Sequence, residues 1–599
     1  MGMSAHLSSD QFSVRTWASL GFCLLLCAAI PADAPIADAS MRNDIAQVRS
    51  LVADGAEVNA AHGDGMTGLH WAAENGNSEI ASILLESGAD VEAVTRLGAY
   101  RPLHLAARKG HVSVIQLLLD ASGDAAVEST TGKVTPLHFA AASGKAAAVE
   151  ALINHGVEID VMESVWGQTP LMFAAAAGRT EVIRVLLRAG GDPALTAAVI
   201  DMPTRDEFDR GDQQARRGRM AEAQQTISGT GEVRPADAER LAAANSRGIP
   251  SEQELLLVQQ RDRVNQPLSH AQLVGGYGGM TALLLAVRDG HASTVFALLD
   301  HGAEIDQAST GDHTSPLLMA LINGHFGLAM ELFERGADPT ISSDAGATPL
   351  YIALNTEWIP KSRHPQPTHR LQQEVTYLDL MKTFLEAGVD PNARLTKQLW
   401  YTTFGDDYLR TNRTGATPFW RAAYGLDLKA MKLLVEYGAD PNTPTKKSAA
   451  RSYRGGSEAQ SRMLDPSGLP SVPVGGPGSW PIHAASGIGY GEGYAANIHR
   501  HVPESWTASV RYLVEELGAN VNARDHNGYT ALHHAAARGD NELILYLVSQ
   551  GADVSVVSRR GQTVADMANG PVQRIIPFLS TVALLEGLGS QNNHNCVAC

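Results

Sequence analysis

Apolar and polar residues recur along this chain in one pattern with a period of about 34 residues. Each copy opens with a short phrase: a polar residue, proline or glycine, leucine, usually histidine, one further residue and two alanines. The best copies of this opening phrase start at Thr67, Arg101, Thr135 and Thr169. A polar N-cap followed by proline is a favoured helix start. A second segment, such as 112–120, has the apolar spacing of an amphipathic helix. The pattern predicts two short antiparallel helices per copy, which bury their apolar faces only by stacking on neighbouring copies.

A second phrase closes the copies with glycine, alanine and an acidic residue, as at 88–90, 336–338 and 551–553. The glycine can adopt the left-handed conformation that ends a helix, and the acidic residue suits the turn that follows. After a gap the opening phrase returns in weaker copies, which start at Thr281, Ser315, Thr348, Thr417, Trp480 and Thr530. The two phrases therefore organise most of the chain.

Together these phrases resemble ankyrin repeats over about 36–192 and 279–568, as about eleven or twelve units with atypical first and last copies. The resemblance implies a mostly α-helical solenoid of helix-turn-helix units with β-hairpin fingers along one edge, interrupted here by insertions. It implies protein binding through the fingers and a concave helix face. It also implies that the histidine of the opening phrase supports hydrogen bonds between neighbouring fingers; its copies are His70, His104, His138, His483 and His533.

Three interruptions of the period divide the chain. The first is charged and poor in aromatic residues, so we expect helices or disorder there, with an apolar helix at 252–260 available for docking. The second is rich in aromatic residues, and the third is a flexible loop rich in Gly, Ser and Pro. The predicted order is a signal peptide at 1–34, repeats at 35–194, the charged insertion at 195–278, repeats with aromatic insertions at 279–442, the flexible loop at 443–479, repeats and a C-terminal cap at 480–587, and a tail at 588–599.

The N-terminus has the pattern of a secretory signal peptide. Arg15 precedes an apolar run at 17–30, which is too short to span a membrane, and small residues follow it. We expect cleavage between Ala29 and Ala34, which would leave a periplasmic or secreted protein, of bacterial origin, with no membrane span in the mature chain. An uncleaved anchor and a buried helix are the alternatives for this segment.

Charge and cysteine content narrow the choice of partner and compartment. The formal net charge of −17 repels phosphate backbones, so nucleic acid is not an expected partner. Two cysteines lie in the apolar N-terminal run and two, Cys596 and Cys599, end the chain as a C-x-x-C, with none between the pairs. This distribution fits an oxidising compartment. The C-terminal pair suits a local disulfide or, as the alternative function, a redox or electron-transfer accessory role.

Aromatic and arginine side chains carry most of the energy in protein interfaces, and they supply the candidate binding residues. The candidates on the fingers and on a helix face are Tyr100, Arg101, Arg108, Trp166 and Tyr277. The aromatic insertion adds Trp400, Tyr401 and Tyr408, which are either tucked into the scaffold or used as anchors. The predicted partner is another protein, of unknown identity.

The sequence contains no pattern of a catalytic or cofactor site. Nucleophile-elbow, zinc-protease and P-loop motifs are absent, and the glycine cluster at 275–279 does not follow a strand of a βαβ unit. The repeat histidines lie one unit apart, too far to share a metal ion, and His499 and His501 have no cysteine nearby. We therefore predict a non-enzymatic protein–protein interaction module without metal or cofactor.

We predict that export removes the N-terminus up to a point between Ala29 and Ala34. Mass spectrometry of the N-terminal peptide, on protein isolated from its own cells, measures this directly. A mature chain that begins just after one of the small residues is the expected result. An intact start at Met1 or Met3 on a cytosolic protein contradicts the prediction.

Overall fold

A computed structural model describes residues 34–228, 268–361, 366–403, 409, 411–449, 465–493, 498–571 and 576–597. The predicted signal peptide lies outside these residues except for Ala34, and so do the predicted docking helix at 252–260, Tyr408 and Cys599. The chain divides into two compact units. The first unit is Met1–Ala197 with Ser293–Ala303, and the second is Ala198–Ala292 with Glu304–Cys599.

The predicted helix pairs are confirmed, and twelve of them lie within the described residues. The N-terminal repeats contain α1 (Pro35–Met41), α2 (Ile45–Ala53), α3 (Gly68–Asn75), α4 (Ser78–Glu86), α5 (Pro102–Lys109), α6 (Val112–Asp120), α7 (Pro136–Ser143), α8 (Ala146–Ile153), α9 (Pro170–Ala176) and α10 (Thr180–Arg188). The charged insertion contains β1 (Val199–Asp201), α11 (Met202–Ser228), α12 (His270–Val274) and β2 (Gly276–Gly278).

The later repeats follow the same plan with additional short elements. Their helices are α13 (Ala282–Arg288), α14 (Ala292–Asp300), α15 (Pro316–Ile322), α16 (Phe326–Glu334), α17 (Pro349–Glu357), α18 (Tyr377–Glu386), α19 (Trp400–Thr403), α20 (Pro418–Tyr424), α21 (Leu428–Glu436), α22 (Pro481–Ser486), α23 (Trp506–Arg511), α24 (Ala531–Ala537), α25 (Asn541–Ser549), α26 (Val564–Ala568) and α27 (Leu579–Gly587). A 3-10 turn at His369–Gln372 precedes α18, and a π turn at Tyr512–Glu516 extends α23.

The predicted caps set the limits of the first helix in each repeat, which we call the first helices. At the start of α3 the Thr67 hydroxyl accepts a hydrogen bond from the backbone N–H of His70. Gly76, Gly110 and Gly144 follow α3, α5 and α7 with φ of 72°, 71° and 82°. A side chain would be strained in this left-handed region, so glycine suits the turn into the second helix.

The first unit consists of two layers of helices. First helices α3, α5, α7 and α9 pack on one another in sequence order, and second helices α4, α6, α8 and α10 form the other layer. The leucine of each opening phrase lies in the core at 2% exposure or less, as Leu69, Leu103, Leu137 and Leu171. The small alanine pairs that follow them are buried as well, which lets neighbouring first helices approach closely.

Short fingers connect successive repeats. Each finger closes on itself with a backbone hydrogen bond, such as that from Thr95 N–H to Tyr100 O at 3.0 Å and that from Ser129 N–H to Val134 O at 3.0 Å. In the described part of the chain the only strands are β1 and β2, which belong to the charged insertion. The fingers implied by the resemblance are thus short antiparallel turns, and in the first of them Ala61 and Thr67 form an isolated antiparallel bridge.

Backbone hydrogen bonds also join each finger to its neighbour. The first unit has three such bonds, from Arg96 N–H to Asp64 O at 2.8 Å, from Thr130 N–H to Gly98 O at 2.9 Å, and from Ser164 N–H to Gly132 O at 2.7 Å. Each bond spans one sequence repeat, so the fingers form a regular array. Backbone pairing of this kind fixes the fingers relative to one another without using their side chains.

The charged insertion is anchored where it leaves and rejoins the repeats. Strand β1 pairs antiparallel with β2, and Val199 lies opposite Gly278. Helix α11 is exposed along most of its described length, with Phe208 at 65% exposure. A Cβ atom on Gly276 would lie 2.2 Å from the carbonyl oxygen of Gly311, so the glycine cluster allows the insertion to pack against a repeat turn.

We predict that Leu137→Ala lowers the free energy of unfolding by about 2–4 kcal/mol, because a fully buried leucine loses its contacts and leaves a cavity. Lys133→Ala, on the preceding finger, should change it by less than about 0.5 kcal/mol, because Lys133 is exposed and pairs only with the exposed Glu128. Denaturant unfolding of both variants is the measurement. Similar losses in the two variants contradict the observed register.

Candidate protein-binding surface

A buried histidine links three successive repeats of the first unit to the repeat that follows each of them. The Nδ1 atom of His70 lies 2.8 Å from the Thr67 hydroxyl and accepts from the Thr67 backbone N–H at 3.2 Å. Its Nε2 atom contacts the carbonyl oxygen of Tyr100, one repeat further on, at 3.0 Å. The same bond recurs twice, from His104 to Val134 O at 3.2 Å and from His138 to Gln168 O at 3.0 Å. The histidine thus stabilises both its own helix start and the next finger.

Burial keeps these histidines neutral. Removal from water disfavours the imidazolium form and lowers the pKa of His70, His104 and His138, that of His104 to about 4. Because Nδ1 of His70 accepts a backbone N–H, the neutral ring carries its proton on Nε2. That proton is donated to the carbonyl oxygen of the neighbouring repeat.

Two predicted binding residues help to build a finger instead of forming its tip. The Tyr100 ring packs edge-on against Phe139, with 5.8 Å between the ring centroids. Arg101 forms an ion pair with Glu92, with 2.5 Å between Nε and Oε2, and its side chain is only 25% exposed. The tip of this finger is Leu97, which is 85% exposed.

Exposed apolar side chains are present on two fingers of the first unit. Val94 accompanies Leu97 on one, and Val165 and Trp166 lie together on the other, where they are 57% and 45% exposed. The Val165 side chain also lies against the neighbouring finger, since a Cβ atom added to Gly132 would lie 3.0 Å from its Cγ2 atom. Apolar groups exposed to this extent are typical of interaction surfaces.

A row of aromatic side chains lies on the first helices, and the sequence analysis missed it. Trp71, Phe139 and Phe173 directly follow the histidine position of their opening phrases, and all three are half-buried. Trp71 donates from its indole N–H to Nδ1 of His62 at 3.1 Å. Phe173 packs against the His138 ring, with 5.0 Å between centroids. The pattern that could have predicted them is a large aromatic residue directly after the histidine position, which recurs at intervals of one or two repeats.

The predicted helix-face residue Arg108 belongs to a charged cluster. Glu74 accepts from Arg108 Nη2 at 2.8 Å and from Lys109 Nζ at 2.9 Å. Burial raises the pKa of Glu74, but the bonds from Lys109 and Arg108 outweigh burial and lower it overall. Arg108 remains 46% exposed, so its guanidinium is accessible at this face.

Comparison with known families agrees with this geometry. A family described as ankyrin repeats (3 copies) matches residues 36–131, 103–197, 241–343 and 283–359, and one described as ankyrin repeats (many copies) matches 495–548. These matches together cover more than half of the chain. The chain belongs to the ankyrin-repeat family. Ankyrin repeats form scaffolds for protein–protein interaction, and that coarse function applies to this chain.

Individual relatives match this ankyrin-repeat protein over part of their length. "Ankyrin repeat and SAM domain-containing protein 6" of Danio rerio is 31% identical over 165 residues, which are 26% of this chain and 21% of that protein. "Tyrosine-protein kinase HTK16" of Hydra vulgaris is 33% identical over 102 residues, 16% of this chain and 12% of the kinase. Human "Mitochondrial disaggregase" is 37% identical over 86 residues, which are 13% of this chain and 12% of the disaggregase. The chain spans about a fifth or less of the length of these relatives.

The predicted aromatic residues of the second unit form a connected cluster. Tyr277 on β2 is 47% exposed, and its ring centroid lies 6.3 Å from that of Trp400, which lies 5.8 Å from Tyr401. The Tyr401 hydroxyl is buried, and burial raises its pKa. The Tyr277 side chain is thus half-exposed, whereas the Tyr401 hydroxyl is buried. Tyr408 lies outside the described residues.

The remaining candidates for chemistry have structural contacts. His499 is buried, with Nε2 2.8 Å from the Tyr424 carbonyl oxygen and Nδ1 3.2 Å from the Tyr490 hydroxyl, so both ring nitrogens are engaged. Cys596 is disulfide-bonded. Over the residues that the structure describes, no three acidic, histidine or cysteine side chains are grouped to hold a metal ion. Nor does any helix in those ranges combine the length and apolar content that crossing a bilayer requires.

We predict that replacing His104 by Asn destabilises the protein at pH 7 by about 1–3 kcal/mol, because a buried hydrogen bond is lost. The unfolded histidine has a pKa of 6.5 and the folded one a pKa of about 4, so the unfolded chain binds the extra proton between these values. The contribution of His104 to stability is therefore complete above pH 6.5 and is lost as the pH falls towards 4.

The difference in unfolding free energy between wild type and His104→Asn should accordingly shrink by about 2 kcal/mol between pH 7 and pH 5. Chemical denaturation at each pH measures it. Leu137→Ala, which removes no titratable group, is the control and should show no such convergence. A difference for His104→Asn that stays constant over this range rules out a neutral histidine between the repeats.

Proposed function

We propose that this ankyrin-repeat protein is an exported scaffold that binds another protein through the finger-and-helix face of its first unit. We define that face by Leu97, Val165 and Trp166 on the fingers and by the aromatic row Trp71, Phe139 and Phe173 on the first helices. The observation that carries the proposal is the exposure of the finger side chains. Leu97 at 85% exposure adds nothing to the core, whereas it suits contact with a partner.

The rigidity of the array favours binding. The three fingers that end at Tyr100, Val134 and Gln168 are each held by a closing bond, by a backbone bond to a neighbour and by a buried histidine. Few side chains and no backbone segments need to be ordered when a partner docks, so little conformational entropy is lost. Half-buried rings next to exposed tips also supply the amphipathic contact area typical of interface centres.

Charge around this face indicates the chemistry of the partner. The fingers expose charges of both signs near the apolar tips, with Asp64 and Glu128 as acids and Arg96 and Lys133 as bases. Complementary charge steers association and selects among partners. We therefore infer a partner that presents apolar side chains flanked by charges of both signs.

Export is part of the proposal and rests on the apolar run and small residues before Ala34 together with a cysteine-free body. The relatives named above come from animals, so a bacterial origin rests on the sequence pattern alone. The redox alternative has no support from the comparisons, and a disulfide at Cys596 fits a structural link as well, so we do not propose it.

Site-specific photo-cross-linking in the native cells tests the binding face and identifies the partner. A photoreactive amino acid at Leu97 should give a discrete adduct, because this side chain stands at the proposed contact. The same amino acid at Leu371, an exposed apolar position of the second unit at 65%, is the matched control and should give none.

Trp166→Ala should reduce the Leu97 adduct and weaken binding of the identified partner by at least about tenfold, which corresponds to about 1.4 kcal/mol. Trp166 is preferred for this test over Tyr100 and Arg101, which support the finger itself. Phe208→Ala, an exposed aromatic residue on α11, is the control and should leave binding unchanged. Equal adducts at both cross-linking positions, or full binding by Trp166→Ala, contradict the proposal.

A further inference from the structure

A loop segment of the second unit, residues 465–473, lies on a finger of the same unit, and Arg559 holds it there. The Nη1 atom of Arg559 donates to the Asp465 carboxylate and to the carbonyl oxygen of Leu469 at 3.2 Å. Its Nη2 atom donates to the carbonyl oxygen of Pro470 at 2.6 Å. The planar guanidinium thus binds two successive main-chain carbonyl groups, which any loop segment can offer.

The finger fixes the guanidinium and also contacts the segment directly. The Nε atom of Arg559 donates to the carbonyl oxygen of His526, on the preceding finger, at 3.1 Å. Gly528 of that preceding finger adjoins the segment, since a Cβ atom added to it would lie 3.4 Å from the Cδ1 atom of Leu469. Arg559 and Gly528, which we call the Arg559 site, therefore bind a leucine together with its carbonyl group.

The first unit has the same arrangement with Arg96 in the place of Arg559. The backbone N–H of Arg96 donates to the carbonyl oxygen of Asp64, on the preceding finger, at 2.8 Å. That of Arg559 donates to the carbonyl oxygen of Asn527 at 3.0 Å. Within the described residues, this bond is made on the other fingers by Thr130, Ser164, Thr310, Asp344, Thr396, Lys446 and His526. Arginine at this position thus distinguishes two fingers of the described chain.

The side chains around Arg96 are placed alike. Its Nη1 atom donates to the carbonyl oxygen of Gly63 at 2.7 Å, and Gly63 is the counterpart of His526. Gly65, with φ of 87°, is the counterpart of Gly528, whose φ is 81°. Only the occupant differs, because Arg96 is exposed and no segment within the described residues covers its guanidinium.

Two sequence differences change what the first unit accepts at this position. Leu97, at 85% exposure, stands where the second unit has the charged Arg560, so the surface beside the guanidinium is apolar. Asp64 stands where the second unit has the neutral Asn527. Its charge disfavours a carboxylate such as that of Asp465. The first unit therefore favours an apolar segment without an acid at this point.

We propose that Gly65, Arg96 and Leu97, the Arg96 site, bind an apolar loop segment of the partner protein that resembles residues 466–473 of this chain, Pro-Ser-Gly-Leu-Pro-Ser-Val-Pro. The guanidinium donates to two successive main-chain carbonyl oxygens, and an apolar side chain packs on Gly65 and Leu97. This inference rests on the proposed function, since it names the segment that the finger-and-helix face receives. Its support is the Arg559 site, where the same arrangement holds such a segment.

A synthetic peptide of residues 466–473, with a photoreactive leucine in place of Leu469, tests the proposal on the full chain. The peptide carries no charge when both ends are blocked, so attraction between opposite net charges does not contribute. Light should attach it in a saturable manner, and mass spectrometry should place the attachment within 62–100. Arg96→Gln should reduce this attachment at least about fivefold, because hydrogen bonds from a charged donor are lost.

Arg188→Gln is the matched control, because it removes the same charge from an exposed position on α10, and it should retain full attachment. No saturable attachment, attachment only within 525–562, or equal attachment to wild type and Arg96→Gln overturns the proposal. None of these results decides the proposed function, which the adduct from Leu97 in native cells tests without the peptide.

Discussion

The structure of the first unit depends on a neutral histidine that is buried between repeats. One ring nitrogen accepts hydrogen bonds from the threonine that begins its helix, and the other donates to a carbonyl oxygen in the following finger. A two-helix repeat cannot bury its apolar face alone and must pack on its neighbours in a fixed register. In three successive repeats of the first unit the histidine joint fixes that register. Burial lowers the pKa of these histidines and so keeps the joint intact at neutral pH.

From this joint the roles of the adjacent positions follow. In the third opening phrase Leu137 lies in the core, His138 bonds to the next finger and Phe139 is half-buried beside the fingers. A helix turns by about 100° per residue, so three consecutive side chains point in three directions. The register that buries the leucine therefore also brings the aromatic row to the face. Stability and the proposed binding surface share one geometric cause.

The sequence predicts those parts of the fold that local chemistry decides. Threonine caps and left-handed glycines act within a few residues, so helix limits and repeat number could be predicted from the printed order. The packing of Tyr100 against Phe139 joins residues of neighbouring repeats and could not be read from either phrase alone. In the second unit, too, a contact between repeats could not be predicted. Trp420 stands at a histidine position there, and its indole N–H donates to the carbonyl oxygen of Ser479, at the far end of the predicted flexible loop, at 3.1 Å. The full burial of Arg421 could not be predicted either, because nothing in its own repeat shows what covers that position.

The central claim is that buried joints and backbone bonds hold the fingers as one fixed array. Amide hydrogen exchange at the backbone N–H groups of Arg96, Thr130 and Ser164 tests it most directly, because each donates to the neighbouring finger. The account predicts that these amides exchange slowly, at rates close to those of the amides within α5 and α7, although they lie in loops. Exchange at the rate of unprotected loop amides in the folded protein would contradict it.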